Sequence, residues 1–344
     1  MKAAFLTGEK TFEIRDIEVP KADEGGMVVE VKACGVCGSD LRRWKEGPSG
    51  DPVVSGHEAS GIVTETGKRV TAFKPGDHIA IAPDIHCGKC YYCRKGLYNL
   101  CDELHFLGIT PGYNGGLAEY ILLSEEVLTL GVVHKIPEGL SFDYAALSEP
   151  CSSVLACHDR IHTAIDDLVV VMGAGPIGCI HTAVAHSRGA RVVISEPSET
   201  RRELAESFMP EAMLNPFEED LEAVVRSLTD GRGADIVICA NPVSATQTQA
   251  VEIARKRGKV MLFGGLPKAD PTTKFDGNKI HYEETEIIGS FSYHPSYHAF
   301  ALEALQRGII PGDKLITASY QLADVDKAFK AAASGAALKV MVNP

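Results

Sequence analysis

The sequence predicts an α/β protein in which a β-rich part is followed by a doubly wound parallel sheet. Three observations carry this. The apolar run Leu168–Met172 reads as a buried strand, is followed by Gly173-Ala174-Gly175-Pro176-Ile177-Gly178, and leads into an apolar-periodic stretch, Ile177–Ala185, that reads as a helix. After it, strand-like and helix-like segments alternate, the pattern of a parallel sheet covered by helices on both faces. Before it, short strand-like runs are broken by Gly and Pro, the punctuation of a folded-over β domain.

In the first part, Lys2–Leu6, Phe12–Ile17, Val28–Val31, Gly61–Thr66, His78–Ala82 and Leu117–Leu122 read as strands. Leu147-Ser148-Glu149-Pro150-Cys151 opens a helix running to about His162. The later strands are Arg191–Ser195, Asp235–Cys239, Lys259–Phe263 and Glu286–Gly289. Between and after them, helices are expected over Glu199–Ser207, Asp220–Leu228, Ala245–Ala254, Tyr297–Gln306 and Ala323–Ala333. The tail is expected to pack back on the first part.

The glycine run has the strand–turn–helix context that a dinucleotide fingerprint requires. Gly173 permits the tight turn, Gly175 lets a pyrophosphate approach the backbone, and Gly178 lets the helix pack on the strand. The helix start at Pro176 and Ile177 directs a positive dipole end at the phosphates. Glu196, just past the next strand, is placed to accept hydrogen bonds from ribose hydroxyls and to repel a 2′-phosphate, favouring NAD over NADP. Arg201 and Arg202 act in the opposite sense, since an arginine there can hold a 2′-phosphate. Gly264, with Gly265, follows a strand at the carboxyl edge where the cofactor runs. A doubly wound domain that binds no nucleotide is the alternative.

The 344 residues, 45% hydrophobic and 23% charged, suit about two soluble domains. A net charge of −12 argues against nucleic acid or an anionic membrane as partner. Met1–Glu9 turns polar too soon for a secretory signal, and no run is long and apolar enough to span a bilayer, so a cytoplasmic location is expected. Ten cysteines in a reducing compartment point to metal or catalysis rather than disulfides.

Cys87-x-x-Cys90-x-x-Cys93 with Cys101 offers four thiolates, enough to close a tetrahedral structural zinc site. Lys89, Arg94 and Lys95 are placed to offset the thiolate charge. An iron–sulfur cluster is the rival, but its bacterial pattern ends in Pro, and here Asp102 follows. A second set is more scattered: Cys37 in a glycine-rich segment, then His57 and Glu58. Thiolate, imidazole and carboxylate are all zinc-competent, and three protein ligands leave the open position that a catalytic zinc needs. Asp40 reads either as a solvated loop acid or as the partner that fixes the His57 tautomer. Ser39 reads as a helix cap or as a proton relay. Glu149 reads as a helix N-terminal acid or as a carboxylate facing the same zinc.

Taken together, Cys37-Gly38-Ser39-Asp40, Gly56-His57-Glu58, the four cysteines, Glu149-Pro150 and the glycine run make the chain resemble the zinc-dependent medium-chain alcohol dehydrogenases. Within them it resembles the polyol (sorbitol- or L-iditol-type) and threonine dehydrogenases. The resemblance covers nearly the whole chain. It implies a GroES-like catalytic domain over 1–150 and 294–344 and a Rossmann NAD-binding domain over 151–293. It implies one catalytic zinc on Cys37, His57 and Glu58, with Glu149 bound directly or through water, and a structural zinc on Cys87, Cys90, Cys93 and Cys101. Ser39, Glu58 and Glu149 become the catalytic candidates. The cofactor residues become Gly173, Gly175, Pro176, Ile177, Gly178, Glu196, Arg201 and Gly264, and Phe106 falls near a substrate-pocket wall.

The implied reaction moves a hydride from a secondary alcohol of a polyol to NAD, giving a ketose, in a homotetramer or dimer. Members commonly carry a histidine two residues after the Asp of Gly-Ser-Asp; here Arg42 and Arg43 stand there and point to an anionic substrate such as a phosphorylated polyol or sugar acid. Sorbitol dehydrogenases have arginine where this chain has Ser292. Threonine-type amino alcohols are a further substrate class. A zinc-stabilised nucleotide-binding protein, which would need no ligands for an open zinc site, and a zinc hydrolase, which would produce no NADH, are the rival classes.

Overall fold

A computed structural model describes residues 1–48, 50 and 53–344. The chain divides into two compact units, Met1–Ser152 with Tyr293–Pro344, and Ser153–Ser292.

The first unit is organised on the strand Met27–Gly35. It pairs antiparallel with Glu58–Thr66 along most of its length, with Tyr120–Leu123 at its start and with Lys339–Asn343 at its end. His78–Ala82 and Val132–Lys135 extend the sheet on one side and Ile316–Gln321 on the other, giving seven strands. The tail therefore contributes two strands to this sheet. Alternate residues of the central strand, Met27, Val29 and Val31, join Ile79, Ile81 and Leu123 in one buried cluster.

The helix Gly38–Glu46, hinted at in the sequence only by Ser39 as a cap, starts directly after Cys37, so Cys37 is the N-cap and Ser39 lies inside the first turn. The Asp40 carboxylate accepts from the Cys37 N–H at 3.2 Å, satisfying a donor at the helix start. Trp44 fastens the other end. It is 4% exposed and packs its ring 6.0 Å from that of Phe329, which also meets Phe12 edge-on at 4.7 Å. Burying an aromatic side chain stabilises by roughly 1.5–3 kcal/mol, so this trio holds the helix that carries Ser39 and Asp40.

The second unit is a six-stranded parallel sheet. Its order is Ala212–Leu214, Arg191–Ser195, Leu168–Met172, Ala234–Cys239, Ala254–Leu262, Glu286–Gly289. All five residues of Leu168–Met172 are buried, as expected of a strand covered on both faces. The order reverses direction beside this strand, and the glycine run leaves its carboxyl end.

Several expected elements change at their ends. Ala254 opens a strand rather than closing a helix because its backbone is extended, at ψ 143°, and pairs with Ala234; the register then shifts before Lys259 pairs, across Arg257 at φ +57°. The helix from Glu199 stops at Ala205, where a tighter turn ends on Met209 in the left-handed region. Tyr120, not Leu117, begins its strand, since the Leu117 N–H is held by Ser55 O and its carbonyl by the Ala4 N–H. The short strand Ala212–Leu214 gives no sequence signal.

Candidate active site

Residues Cys37, His57 and Glu58 bring one sulfur, one ring nitrogen and one carboxylate oxygen within 4.8 Å of one another. The strand pairing creates this. Gly35 lies opposite Glu58 in the antiparallel register, and a Cβ on Gly35 would stand 2.0 Å from Glu58 Oε2. Glycine at 35 therefore leaves the room in which the Glu58 carboxylate sits. Gly56, at φ +91°, turns the chain into His57 where a Cβ would meet Cys34 Sγ at 2.6 Å.

His57 Nδ1 faces Asp40 Oδ1 at 3.3 Å, and His57 Nε2 faces Ser39 Oγ at 3.3 Å. Asp40 is 3% exposed, which removes the reading of a solvated loop acid. Burial alone would push Asp40 up and His57 down, but their mutual attraction wins: Asp40 is held below its ordinary value, and His57, with Cys37 adding to the pull, is raised well above its own. Asp40 leaves Nε2 as the nitrogen for a metal.

Lys339, which sequence reasoning missed, starts the C-terminal strand and ion-pairs with Glu58 Oε2; the two side chains are 4% and 0% exposed. Burial lowers the lysine's affinity for its proton, yet Glu58 and then Cys37 outweigh it. Glu58 Oε1 is buried with no hydrogen-bond partner. Sulfur, a ring nitrogen and a buried carboxylate oxygen without a hydrogen-bond partner make a donor set that fits a divalent ion such as zinc.

Glu149 lies in the first turn of the helix Ser148–Ile161 and is half-buried. It is not among the three groups that share the 4.8 Å cluster. Its carboxyl is pushed up to about 8, by burial first and then by the Glu58 charge. Tyr293, also missed, donates its hydroxyl to Glu149 Oε1 at 3.4 Å. The helix N-terminal position of Glu149 is thus observed, and its charge coupling to Glu58 and His57 places it in their electrostatic neighbourhood.

The four cysteines Cys87, Cys90, Cys93 and Cys101 converge, and none forms a disulfide. Cys87 and Cys93 Sγ are 4.0 Å apart, as are Cys90 and Cys101 Sγ. Four sulfurs about 2.3 Å from one tetrahedral zinc would be roughly 3.8 Å apart. Backbone N–H groups of Cys87, Cys90, Cys93 and Glu103 point at these sulfurs at 3.2–3.4 Å. The Cys93 N–H heads the causes that bring Cys90 down to about 6. Lys89 pairs instead with Glu103 at 3.5 Å and Lys95 lies over the Tyr91 ring, so backbone dipoles, rather than those lysines, face the sulfurs.

In the second unit Gly173 adopts φ +119°, and a Cβ on Gly178 would stand 1.9 Å from Gly173 O, so the turn and helix can pack only as glycine. A Cβ on Gly175 meets nothing within 4 Å, which leaves the helix start at Pro176 and Ile177 facing open space. That cradle fits a pyrophosphate. Glu196 is 4% exposed and accepts the Ala174 N–H at 2.8 Å and the Ser198 N–H at 2.9 Å, which ties it to the glycine turn. Arg201 reaches it at 3.9 Å. Arg202 is occupied by the carbonyls of Glu196 and Pro197 at 2.9 and 2.8 Å. Gly264 packs on Asn241, whose carbonyl oxygen would be 2.3 Å from a Cβ.

Two metal-competent clusters in a β-rich unit and a phosphate cradle at the switch of a parallel sheet define a metal-dependent, dinucleotide-linked oxidoreductase. The comparisons make that class specific. The family described as "Alcohol dehydrogenase GroES-like domain" matches residues 23–138, and "Zinc-binding dehydrogenase" matches residues 176–307. Sorbitol dehydrogenase of Halalkalibacterium halodurans is 36% identical over 100% of this chain and 99% of its own. D-arabitol-phosphate dehydrogenase of Enterococcus avium is 34% identical over 95% of this chain and 92% of its own. The crystal structure of 2R,3R-butanediol dehydrogenase from Bacillus subtilis superposes with a TM-score of 0.90 at 29% identity, covering 100% of this chain and 99% of that one. The chain belongs to the zinc-dependent medium-chain alcohol dehydrogenases, polyol branch, with a GroES-like and a Rossmann-type domain. It is an oxidoreductase whose cofactors are zinc and a nicotinamide dinucleotide. Among the described residues, no helix is long and apolar enough to cross a membrane.

Proposed function

We propose that this enzyme oxidises a secondary hydroxyl of a polyol to the ketone with NAD. The observation that carries the reading is the buried Cys37–His57–Glu58 set, backed by Asp40 on His57 and with Glu58 Oε1 unsatisfied. The names of the relatives, sorbitol dehydrogenase and D-xylulose reductase, support the polyol class.

Cys37 Sγ, His57 Nε2 and Glu58 are the proposed ligands of the catalytic zinc, with Glu149 as a fourth, direct or through water. Cys87, Cys90, Cys93 and Cys101 hold the structural one. When bound, the catalytic zinc supplies Lewis acidity that makes a hydroxyl ionise near neutral pH, and the nicotinamide ring supplies the hydride acceptor. Asp40 keeps a proton on His57 Nδ1. Ser39 Oγ, beside His57 Nε2, relays the substrate proton by accepting it and passing its own on to water, and Glu149, anchored by Tyr293, is the neighbouring carboxyl that assists its departure. Gly173, Gly175, Pro176, Ile177, Gly178 and Gly264 form the cofactor surface. Glu196 and its neighbour Arg201 set the preference for NAD over NADP. The reading extends to a homotetramer in the cytoplasm, the first checked by sedimentation and the second by fractionation of the source cells.

The experiment is NADH formation by the zinc-replete protein over a panel of free polyols, polyol phosphates, threonine and simple secondary alcohols, each with NAD and NADP. Turnover on a polyol that disappears in Cys37→Ala, with NADH binding retained, is the expected result. Full activity in Cys37→Ala would remove the zinc assignment.

A further inference from the structure

Beside the metal-competent cluster stands a charged group that the reaction above does not use. Arg43 lies four residues after Ser39 on the helix Gly38–Glu46, so the two share a face one turn apart, about 5–6 Å between Cβ atoms. Ser39 Oγ is the hydroxyl 3.3 Å from His57 Nε2. Arg43 is half-buried, and its Nη1 donates to Gly108 O at 2.6 Å. Gly108 itself lies against the residue before His57: a Cβ on it would be 2.5 Å from Gly56 O. Helix and loop thus both tie this guanidinium to the segments that carry Ser39 and His57.

A guanidinium has five N–H donors, and Gly108 takes one. Among the described residues no carboxylate pairs with Arg43, although Asp40, Glu58 and Glu149 all belong to the same unit. Arg42, on the same helix face at three residues from Ser39, is exposed and adds a second positive charge. A brace for a loop carbonyl needs one donor and no charge. A planar fork with no carboxylate partner among the described residues suits a carboxylate or phosphate, which it binds through two parallel hydrogen bonds.

We propose that Arg43 is a specificity-determining residue, which receives an oxyanion carried by the substrate about one helical turn from the hydroxyl that reacts. The substrate class is therefore a polyol bearing a phosphate ester or a carboxylate. This rests on the polyol-oxidation reading given above.

The test compares D-sorbitol, D-sorbitol 6-phosphate and D-gluconate as substrates of the zinc-loaded enzyme with NAD, in wild type, Arg43→Gln and Arg43→Lys. The two charged substrates separate a phosphate from a carboxylate. Glutamine keeps a donor for Gly108 O and removes the charge. The wild type should show a higher kcat/KM for one charged substrate than for sorbitol. Arg43→Gln should lose about 10- to 150-fold more on the charged substrate than on sorbitol, mainly in KM, the size of a lost charge-assisted contact. Arg43→Lys should fall between. Equal losses on charged and uncharged substrates would make Arg43 a loop brace and overturn the proposal, as would a wild type that oxidises sorbitol and neither charged compound.

Titration calorimetry with D-sorbitol 6-phosphate and with D-gluconate separates this from the function itself. Should no compound yield NADH, the polyol reading fails. Binding of either ligand to the wild type and its loss in Arg43→Gln would still uphold the anion site, and absence of binding to the wild type would overturn it.

Discussion

Replacing Lys339 by methionine tests whether the Glu58 carboxylate is held for a metal. The Lys339–Glu58 pair is buried on both sides, at 4% and 0% exposure, and Glu58 Oε1 has no hydrogen-bond partner of its own. Methionine keeps most of the lysine stem and deletes the charge. In the metal-free protein Glu58 then has no countercharge, and breaking one side of a buried ion pair costs about 3–5 kcal/mol. The unit that contains both residues has about 200 residues. At that size each kcal/mol moves the midpoint by roughly 2–4 °C, so the fall should be roughly 6–20 °C. With zinc bound, Glu58 faces a divalent ion, and what remains is a near-isosteric swap costing less than about 1.5 kcal/mol. Scanning calorimetry in chelator and in zinc measures both. A fall of the same size in the two conditions would show that Glu58 does not bind the ion. A loss below about 1 kcal/mol without metal would show that the pair is not the buried contact described.

Asp40→Asn removes the carboxylate behind His57 Nδ1 and should weaken zinc binding about 10- to 100-fold, read by competition with a chromophoric chelator; unchanged affinity would dismiss Asp40 as a positioning group. Gly175→Ala places a methyl where nothing lies within 4 Å, at a φ of −72° that alanine adopts freely, so urea stability should change by less than about 0.5 kcal/mol. NADH fluorescence titration should nevertheless show weaker binding, and wild-type affinity would mean that the pyrophosphate runs elsewhere. Burial pushes His158 and His298 down to about 3, aided by Arg188 in the first case and His134 in the second. Their folded values lie below the unfolded one, so their stabilisation is complete above about pH 6.5 and is lost as pH falls toward 3; at pH 5 each costs about 2 kcal/mol. Urea midpoints at pH 7 and pH 5 should show this loss, and His158→Gln should remove about half of it; a pH-independent midpoint would refute it.

What could be read from the sequence depended on how far apart along the chain the partners lie. The four cysteines fall within fifteen residues and the glycines within six, so spacing alone marked both. Cys37, His57 and Glu58 were recognisable as donor types, but what joins them is the pairing of Gly35 with Glu58, a long-range register that composition does not encode. The two readings of Asp40 were separated only by the helix that starts after Cys37. The extent of that helix has little sequence signal because two arginines, a lysine and a glutamate mask its buried positions, Asp40 and Trp44. Lys339 and Tyr293 carried no signal: one is a lysine near the chain end, the other an aromatic in a loop, and only tertiary contacts give either a task. Ile316–Gln321 alternates half-buried and exposed residues at a sheet edge and lacks the buried run that marks a strand such as Leu168–Met172.

The same distinction separates the two metal clusters physically. The Cys87–Cys101 sulfurs are held by their own segment: three of the N–H groups aimed at them belong to other cysteines of the set and the fourth to Glu103. Such a lobe has little apolar burial of its own, and metal binding there is folding energy. The Cys37–His57–Glu58 set is instead carried by the central sheet strands and by the helix that Trp44 and Phe329 fasten to the core. Around it, His57 and Lys339 supply positive charge to Asp40 and Glu58. A site assembled by the core in this way can leave one ligand position open to substrate without the fold depending on it, whereas the thiolate lobe needs every position filled. The structural and catalytic roles proposed for the two sets therefore rest on what holds each of them, and not on ligand identity alone.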